Sequence, residues 1–309
     1  MKTTSELLLT FLLNACWQVA VVGAAAMLGD LFLRRTVASY RHLLWIVALA
    51  ISIVIPLFPS LSLLRGLFVV TPAPAISIQP LTFADGPATI GEAISASKSS
   101  AYNINQTVAL TVLALYALFI VYRIIKLVRA GIRTRVIMRE TKPLELSHEV
   151  QGIVAKCERA IGVKAVTFLS SSSLQVPATL GIFRPWVILP EGLLHESQSD
   201  ALTAAIGHEL VHVARRDYLL NLICEFIFLP LSFHPAAALM RRRITQTREL
   251  RCDELVTELL LRPEVYARSL VQLARSAMPF ARRTRTVAVG IADADILEVR
   301  IMSLLKGTK

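Results

Sequence analysis

The sequence predicts a mostly α-helical membrane protein, with three amino-terminal transmembrane helices followed by an α+β domain that keeps a helical hairpin against the membrane. Three observations carry this. Long apolar runs occupy 7–28, 43–64 and 107–127. Basic residues crowd 123–139, 241–251 and 262–285 and are nearly absent from 66–122. From about 144 onward, short alternating and helical patterns replace the unbroken apolar text. Hydrophobic residues make up 54% of the 309 and charged residues 18%, where a soluble domain carries about 25%. The mean hydropathy is +0.58.

The first run, 7–28, has 22 residues without a charge and as a helix reaches about 33 Å, enough to cross a hydrocarbon core. A cleaved signal peptide ending near Ala24-Ala25-Ala26 is the competing reading, but the run is long for one and only Lys2 precedes it. The second run, 43–64, carries Pro56 and Pro59 near its far end. The third is apolar over 107–122, and Arg123 and Lys126 extend it to 127 by reaching toward the headgroups. Arg34, Arg35 and Arg41 lie between the first two spans. Arg123, Lys126, Arg129, Arg133, Arg135 and Arg139 follow the third, whereas the 65–106 loop has only Arg65 and Lys98. Two spans separate the basic regions, so both fall on one side. The bias of basic residues toward the cytoplasm then puts the N-terminus and the 65–106 loop outside and everything after 123 inside. Residues 1–128 thus form a multi-pass transmembrane region and 129–309 a cytoplasmic domain.

The net charge of +11 lacks the aromatic–basic interleaving of a nucleic-acid groove, so membrane lipid is the expected partner and nucleic acid is not. Cys16, Cys157, Cys224 and Cys252 form no CxxC pair and read as reduced thiols. Within the second domain, 146–161 has helical spacing, 164–169 alternates as a strand, and 176–183 and 186–189 read as short strands around Arg184-Pro185. A helix starts near Ser199-Asp200.

That helix carries His208-Glu209-Leu210-Val211-His212. Histidines at i and i+4 share one face one turn apart and can take two corners of a tetrahedral Zn2+. Glu209 points to the neighbouring face, where a glutamate serves as general base toward a metal-activated water. His148-Glu149 and His195-Glu196 are followed at the fourth position by Gly152 and Ser199 and lack the pair. Glu249 and Asp253 are also i and i+4. Glu249 is the expected third ligand, and Asp253 the carboxylate behind it that fixes a ligand histidine's tautomer. Three protein ligands leave a fourth position for water, the hydrolytic arrangement. A metzincin site is excluded because Arg215 and Tyr218 stand where its glycine and third histidine belong. Glu225 competes with Glu249 but has no trailing aspartate. The bland alternatives are an amphipathic helix with incidental histidines and a solvated acidic face paired with arginines. Tyr218, His234 and Arg248 are candidates for stabilising an oxyanion.

Residues 218–239 are nearly all apolar. As a straight span they would carry Glu249 about 30 Å from His212, across the bilayer. Pro230 and Pro235 interrupt the run, so a hairpin or re-entrant element returning to the cytoplasmic side is expected.

The N-terminal spans, His208-Glu209-x-x-His212, the trailing Asp217, Glu249-x-x-Cys252-Asp253, and the stretches Val176-Pro177-Ala178-Thr179-Leu180-Gly181 and Arg184-Pro185-Trp186-Val187-Ile188-Leu189-Pro190 resemble the BlaR/MecR-type membrane metallopeptidases, the bacterial antirepressor or β-lactam sensor-transducer proteins. The resemblance covers most of the chain and is most specific over 176–256. It implies a gluzincin-like fold, zinc held by His208, His212 and Glu249, Glu209 as catalytic base, and regulated cleavage of a cytoplasmic protein, typically a transcriptional repressor, in signal transduction. Homodimerisation is compatible with it. In that family a further span and an external penicillin-binding domain often follow the protease. The sequence here ends at Lys309, so the expectation is a signal entering through a partner or the 65–106 loop, or a truncated form. A peptide substrate is expected to add to an exposed edge of the 176–189 strand pair, unless that strand is buried in the sheet. Arg282-Arg283-Thr284-Arg285 suggests a self-cleavage region. A housekeeping membrane protease resembling the heat-shock or prenyl-processing enzymes, and a non-catalytic metal-binding sensor, are the alternative functions.

Overall fold

The computed structural model describes residues 2–68, 106–196, 199–281 and 294–306. The chain is mostly helical, with one four-stranded sheet among the described residues. Most of the expected 65–106 loop, and 282–285, lie outside the described residues.

Helix α1 (Lys2–Phe32) and helix α2 (Ala38–Phe68) are joined by a short 3-10 turn at Leu33–Arg35. Asp30 clamps the turn by accepting from Arg41 Nε at 2.7 Å and Nη2 at 3.2 Å. Helix α3 (Gln106–Glu140) follows. All three contain stretches long and apolar enough to cross a membrane: Leu7–Arg35, Ala38–Phe58 and Gln106–Glu140. The expected boundary at 128 falls inside α3, which continues unbroken because its arginines, Met138 and Glu140 are good helix formers that persist after hydropathy declines.

The sheet runs β1 (Lys142–Pro143), β2 (Thr167–Ser171), β4 (Trp186–Pro190), β3 (Ala178–Leu180) across its width. β2 and β4 are parallel, with Phe168 opposite Val187, while β1 and β3 pair antiparallel on the flanks. β3 is therefore an edge strand and not a buried one. The β3–β4 turn needs Gly181, whose φ of 99° is left-handed and whose added Cβ would collide with the Arg184 carbonyl. Helix α4 (His148–Ile161) starts where Ser147 accepts from Val150 N and ends at Gly162 in the left-handed conformation. Its buried Val150, Val154 and Cys157 pack against Val187, Leu189 and the next long helix.

After the short α5 (Glu191–Glu196) come α6 (Ser199–Ala214), α7 (Asp217–Leu231) and α8 (Pro235–Leu259). Arg216, at φ 54°, makes the sharp turn between α6 and α7. The α7–α8 turn is capped by His234, which accepts from Ala236 N, with Pro235 at the first helical position. The 218–239 stretch thus forms two antiparallel helices. Phe228, Leu231, Ala237, Met240 and Ile244 of this pair share one core with Phe11, Ala15, Val19, Ala26, Trp45, Ala48 and Leu49. Small residues let the helices approach: Gly23 faces Ala236 and Met240, and a Cβ there would lie 3.1 and 3.3 Å from them. Lipid tails are as apolar as leucine, so close packing of this kind, and not water exclusion, holds such a contact together. Helices α9 (Pro263–Ala281) and α10 (Ala294–Lys306) close the far side of α6 and α8, with Tyr266, Leu270 and Leu304 in a second core beside Val211 and Val256.

Candidate metal centre

On α6, His208 and His212 lie one turn apart, with ring centroids 4.7 Å apart and planes at 86°. α8 runs back past them and brings Glu249 Oε2 to 3.2 Å from His208 Nε2 and 3.9 Å from His212 Nε2. The ligating atoms of all three residues lie within 4.8 Å of one another. Both imidazoles turn Nε2 toward this one point, and both have their Nδ1 engaged elsewhere. The geometry fits the expected ion: bonds of about 2.0 Å at a tetrahedral centre hold ligand atoms about 3.3 Å apart.

Behind His212, Nδ1 donates to Asp217 Oδ2 at 2.7 Å, which fixes the tautomer that leaves Nε2 free. Burial alone would raise the Asp217 carboxyl, but the hydrogen bond from His212 and the charge of Arg215 hold it below the usual range. Cys252 Sγ lies 3.5 Å from the same oxygen; burial and the surrounding carboxylates push its thiol well up and keep it neutral.

Behind His208, Nδ1 meets the Tyr266 hydroxyl at 3.0 Å and Asp253 Oδ1 at 3.4 Å. Tyr266 in turn donates to Asp253 Oδ1 at 2.7 Å. Arg300 completes the group, giving Nε to Asp253 Oδ2 at 2.8 Å and Nη2 to Oδ1 at 2.7 Å, a two-pronged bond. Burial opposes charge on Asp253, and the Arg300 guanidinium overcomes it and holds that carboxyl low. Burial, then the Asp253 charge, pushes the Tyr266 phenol well up, so it stays a donor. Burial and Arg300 push the His208 imidazole down, but hydrogen bonds to Asp253 and Glu249 prevail and raise it to about 9. Glu249 is held well below the carboxylate range; its burial works against this, and His208, His212 and Arg248 outweigh it.

Glu209 faces the sheet. The Thr179 hydroxyl on β3 donates to Glu209 Oε2 at 2.6 Å and lies 3.2 Å from its backbone carbonyl, so the edge strand is pinned beside the candidate base. The structure separates the remaining candidates. Arg248 stays at the centre, with Nε and Nη2 3.4 and 3.3 Å from Glu249 Oε1. Glu225 is tied to Arg241 at 2.6 Å, outside the group of converging ligand atoms. His234 is corrected from oxyanion candidate to helix cap: its Nε2 sits 3.0 Å from the Cys16 carbonyl, at the opposite end of the hairpin from Glu249. Sequence reasoning missed Thr179, Tyr266 and Arg300. Thr179 lies within a stretch that carries the family resemblance, but nothing local marks Tyr266 or Arg300, because their partners are 13 and 47 positions away.

Among proteins of known function, the regulatory protein BlaR1 of Bacillus licheniformis is 28% identical over 113 residues, 36% of this chain and 19% of that protein's own length. The chain therefore matches less than a fifth of this relative. The profile of the BlaR1 peptidase M56 family matches residues 10–304, covering the three apolar helices, the sheet, the α7–α8 pair and the centre itself. The chain belongs to the BlaR1 peptidase M56 family of membrane metallopeptidases.

Proposed function

We propose that this protein is a zinc endopeptidase of the bacterial cytoplasmic membrane with a gluzincin-like ligand set, and that it cleaves a cytoplasmic protein, a transcriptional repressor, within a signalling pathway. One observation carries this reading: two imidazole nitrogens and a carboxylate oxygen converge from α6 and α8 while their other atoms are held by buried partners. His208, His212 and Glu249 would hold the ion, and Zn2+ bound there supplies Lewis acidity to the scissile carbonyl and the attacking water.

The chain's own residues do the rest. Thr179 occupies Glu209 Oε2, leaving Oε1 to take a proton from the attacking water and pass it to the leaving amine. An extended substrate pairs antiparallel to β3, the half-buried edge strand, which sets its scissile bond beside Glu209. Arg248, next to Glu249, is placed to offset charge on the tetrahedral oxygen. The distribution of basic residues supports a site on the cytoplasmic face. Zinc per chain in detergent-purified protein is the test. Wild type should hold about one ion and Glu249→Ala should lose it. Glu209→Gln should keep the ion while proteolysis drops by about 100-fold or more. Persistence of cleavage in Glu209→Gln removes the mechanism.

A further inference from the structure

Arg300 reaches the metal centre from α10, 92 positions along the chain from His208. It is 1% exposed, the most buried cation near the site, and forks onto both oxygens of Asp253. Its remaining nitrogen, Nη1, is buried without a hydrogen bond and lies 3.6 Å from Glu249 Oε2. That separation is too long for a hydrogen bond, so the guanidinium does not claim the ligand oxygen. Elsewhere α10 docks through the buried Ile296 and Leu304, while Met302 is half exposed and the Arg242–Asp295 pair is largely solvated. The fork is thus a fully buried polar link between α10 and the metal centre.

We infer that Arg300 is a positioning residue that makes metal binding at His208, His212 and Glu249 conditional on the docking of α10, an inference that rests on the metallopeptidase reading above. Asp253 and Tyr266 orient His208 through Nδ1, and the guanidinium fixes both oxygens of Asp253. Without the fork the carboxylate is free to rotate away from Tyr266 and His208, which removes the restraint on the imidazole. The Asp253 carboxylate, 2.7 Å from Arg300, also offsets part of the repulsion that this cation would otherwise exert on a metal. Coupling is reciprocal: if docked α10 favours the metal, bound metal must favour docked α10.

Two measurements on the full chain in detergent test this. The first is amide hydrogen exchange of 294–306 in wild type with and without Zn2+. Exchange is expected to slow about tenfold or more on zinc addition, and to be unaffected in His212→Ala, which lacks a ligand. The second is metal affinity by chelator competition, together with the visible spectrum of the Co2+ form. Arg300→Lys keeps the charge but not the fork, and is expected to bind about 10- to 100-fold more weakly with an altered Co2+ spectrum. Met302→Ala on the exposed side should match wild type. If Arg300→Lys does not fold, the exchange experiment decides alone. Equal exchange with and without bound zinc, or unchanged or tighter binding by folded Arg300→Lys, overturns the inference. Failure of wild type to bind zinc at all instead overturns the metallopeptidase reading, and this inference with it.

Discussion

Asp217 offers a sensitive probe of the proposed metal centre, because it touches the ligand His212 without being expected to touch the ion. Its Oδ2 takes the His212 Nδ1 proton at 2.7 Å, with side-chain exposures of 4% for Asp217 and 14% for His212, so solvent screening is slight. A hydrogen bond to a charged group is worth about 1.5–3 kcal/mol and a neutral one about 0.5–1.5 kcal/mol. Asp217→Asn keeps the shape and an acceptor but loses the charge, a difference of about 1–1.5 kcal/mol, or roughly tenfold weaker metal binding. Asp217→Ala also leaves Arg215 without its carboxylate and frees the His212 ring, so the loss should approach 100-fold. Competition against a chromophoric chelator reads both values, and thermal melts confirm that each variant is folded. A graded loss, Ala beyond Asn, is the expected result. Wild-type affinity in both folded variants would refute the assignment of His212 as a ligand through Nε2.

Metal binding should also depend on pH. With the His208 imidazole held at about 9 in the metal-free protein, Nε2 carries a proton at neutral pH that the ion must displace. Affinity should therefore climb by up to about tenfold per pH unit as pH rises toward 9 and flatten above it, with proton release visible by calorimetry in buffers of different ionisation enthalpy; a flat profile contradicts the Nε2 assignment. Thr179→Val removes the hydroxyl held 2.6 Å from Glu209 and should cut kcat by about tenfold or more with zinc content unchanged; loss of zinc instead would mean that β3 supports the ligands and not the base. Gly23→Leu forces side-chain atoms into Ala236 and Met240 and should destabilise the α1–α8 contact by about 1–3 kcal/mol, seen as a lower melting midpoint. An unchanged midpoint would mean that these helices do not pack in detergent.

Much of the architecture was legible because its determinants are local. Uncharged runs of bilayer length needed no partner to be recognised, and the helical spacing of 146–161 matches the helix His148–Ile161. The doubling-back of 218–239 was inferred from Pro230 and Pro235 together with the need to bring two motifs to one ion. The structure turns the chain at Ser232–His234, with Pro235 starting α8 and Pro230 held inside α7. The expected strands were roughly placed, but their lengths were not: 176–183 shrinks to Ala178–Leu180, since pairing with β4, and not alternation alone, decides where a strand stops. His234 misled because a histidine between apolar residues looks chemical in one dimension, whereas the fold uses it to cap a helix.

The sequence by itself determined the apolar helices, the family and the i, i+4 spacing that sets two imidazoles, and separately two carboxylates, on single helical faces. These follow from short-range geometry, the 3.6-residue helical repeat and the length of an apolar run. Only the tertiary structure decided which groups stand behind those faces. Arg300, Tyr266 and Thr179 act on Asp253, His208 and Glu209 across gaps of tens of residues. No periodicity encodes such gaps, because a buried charge takes its partner from whichever element packing brings within about 3 Å.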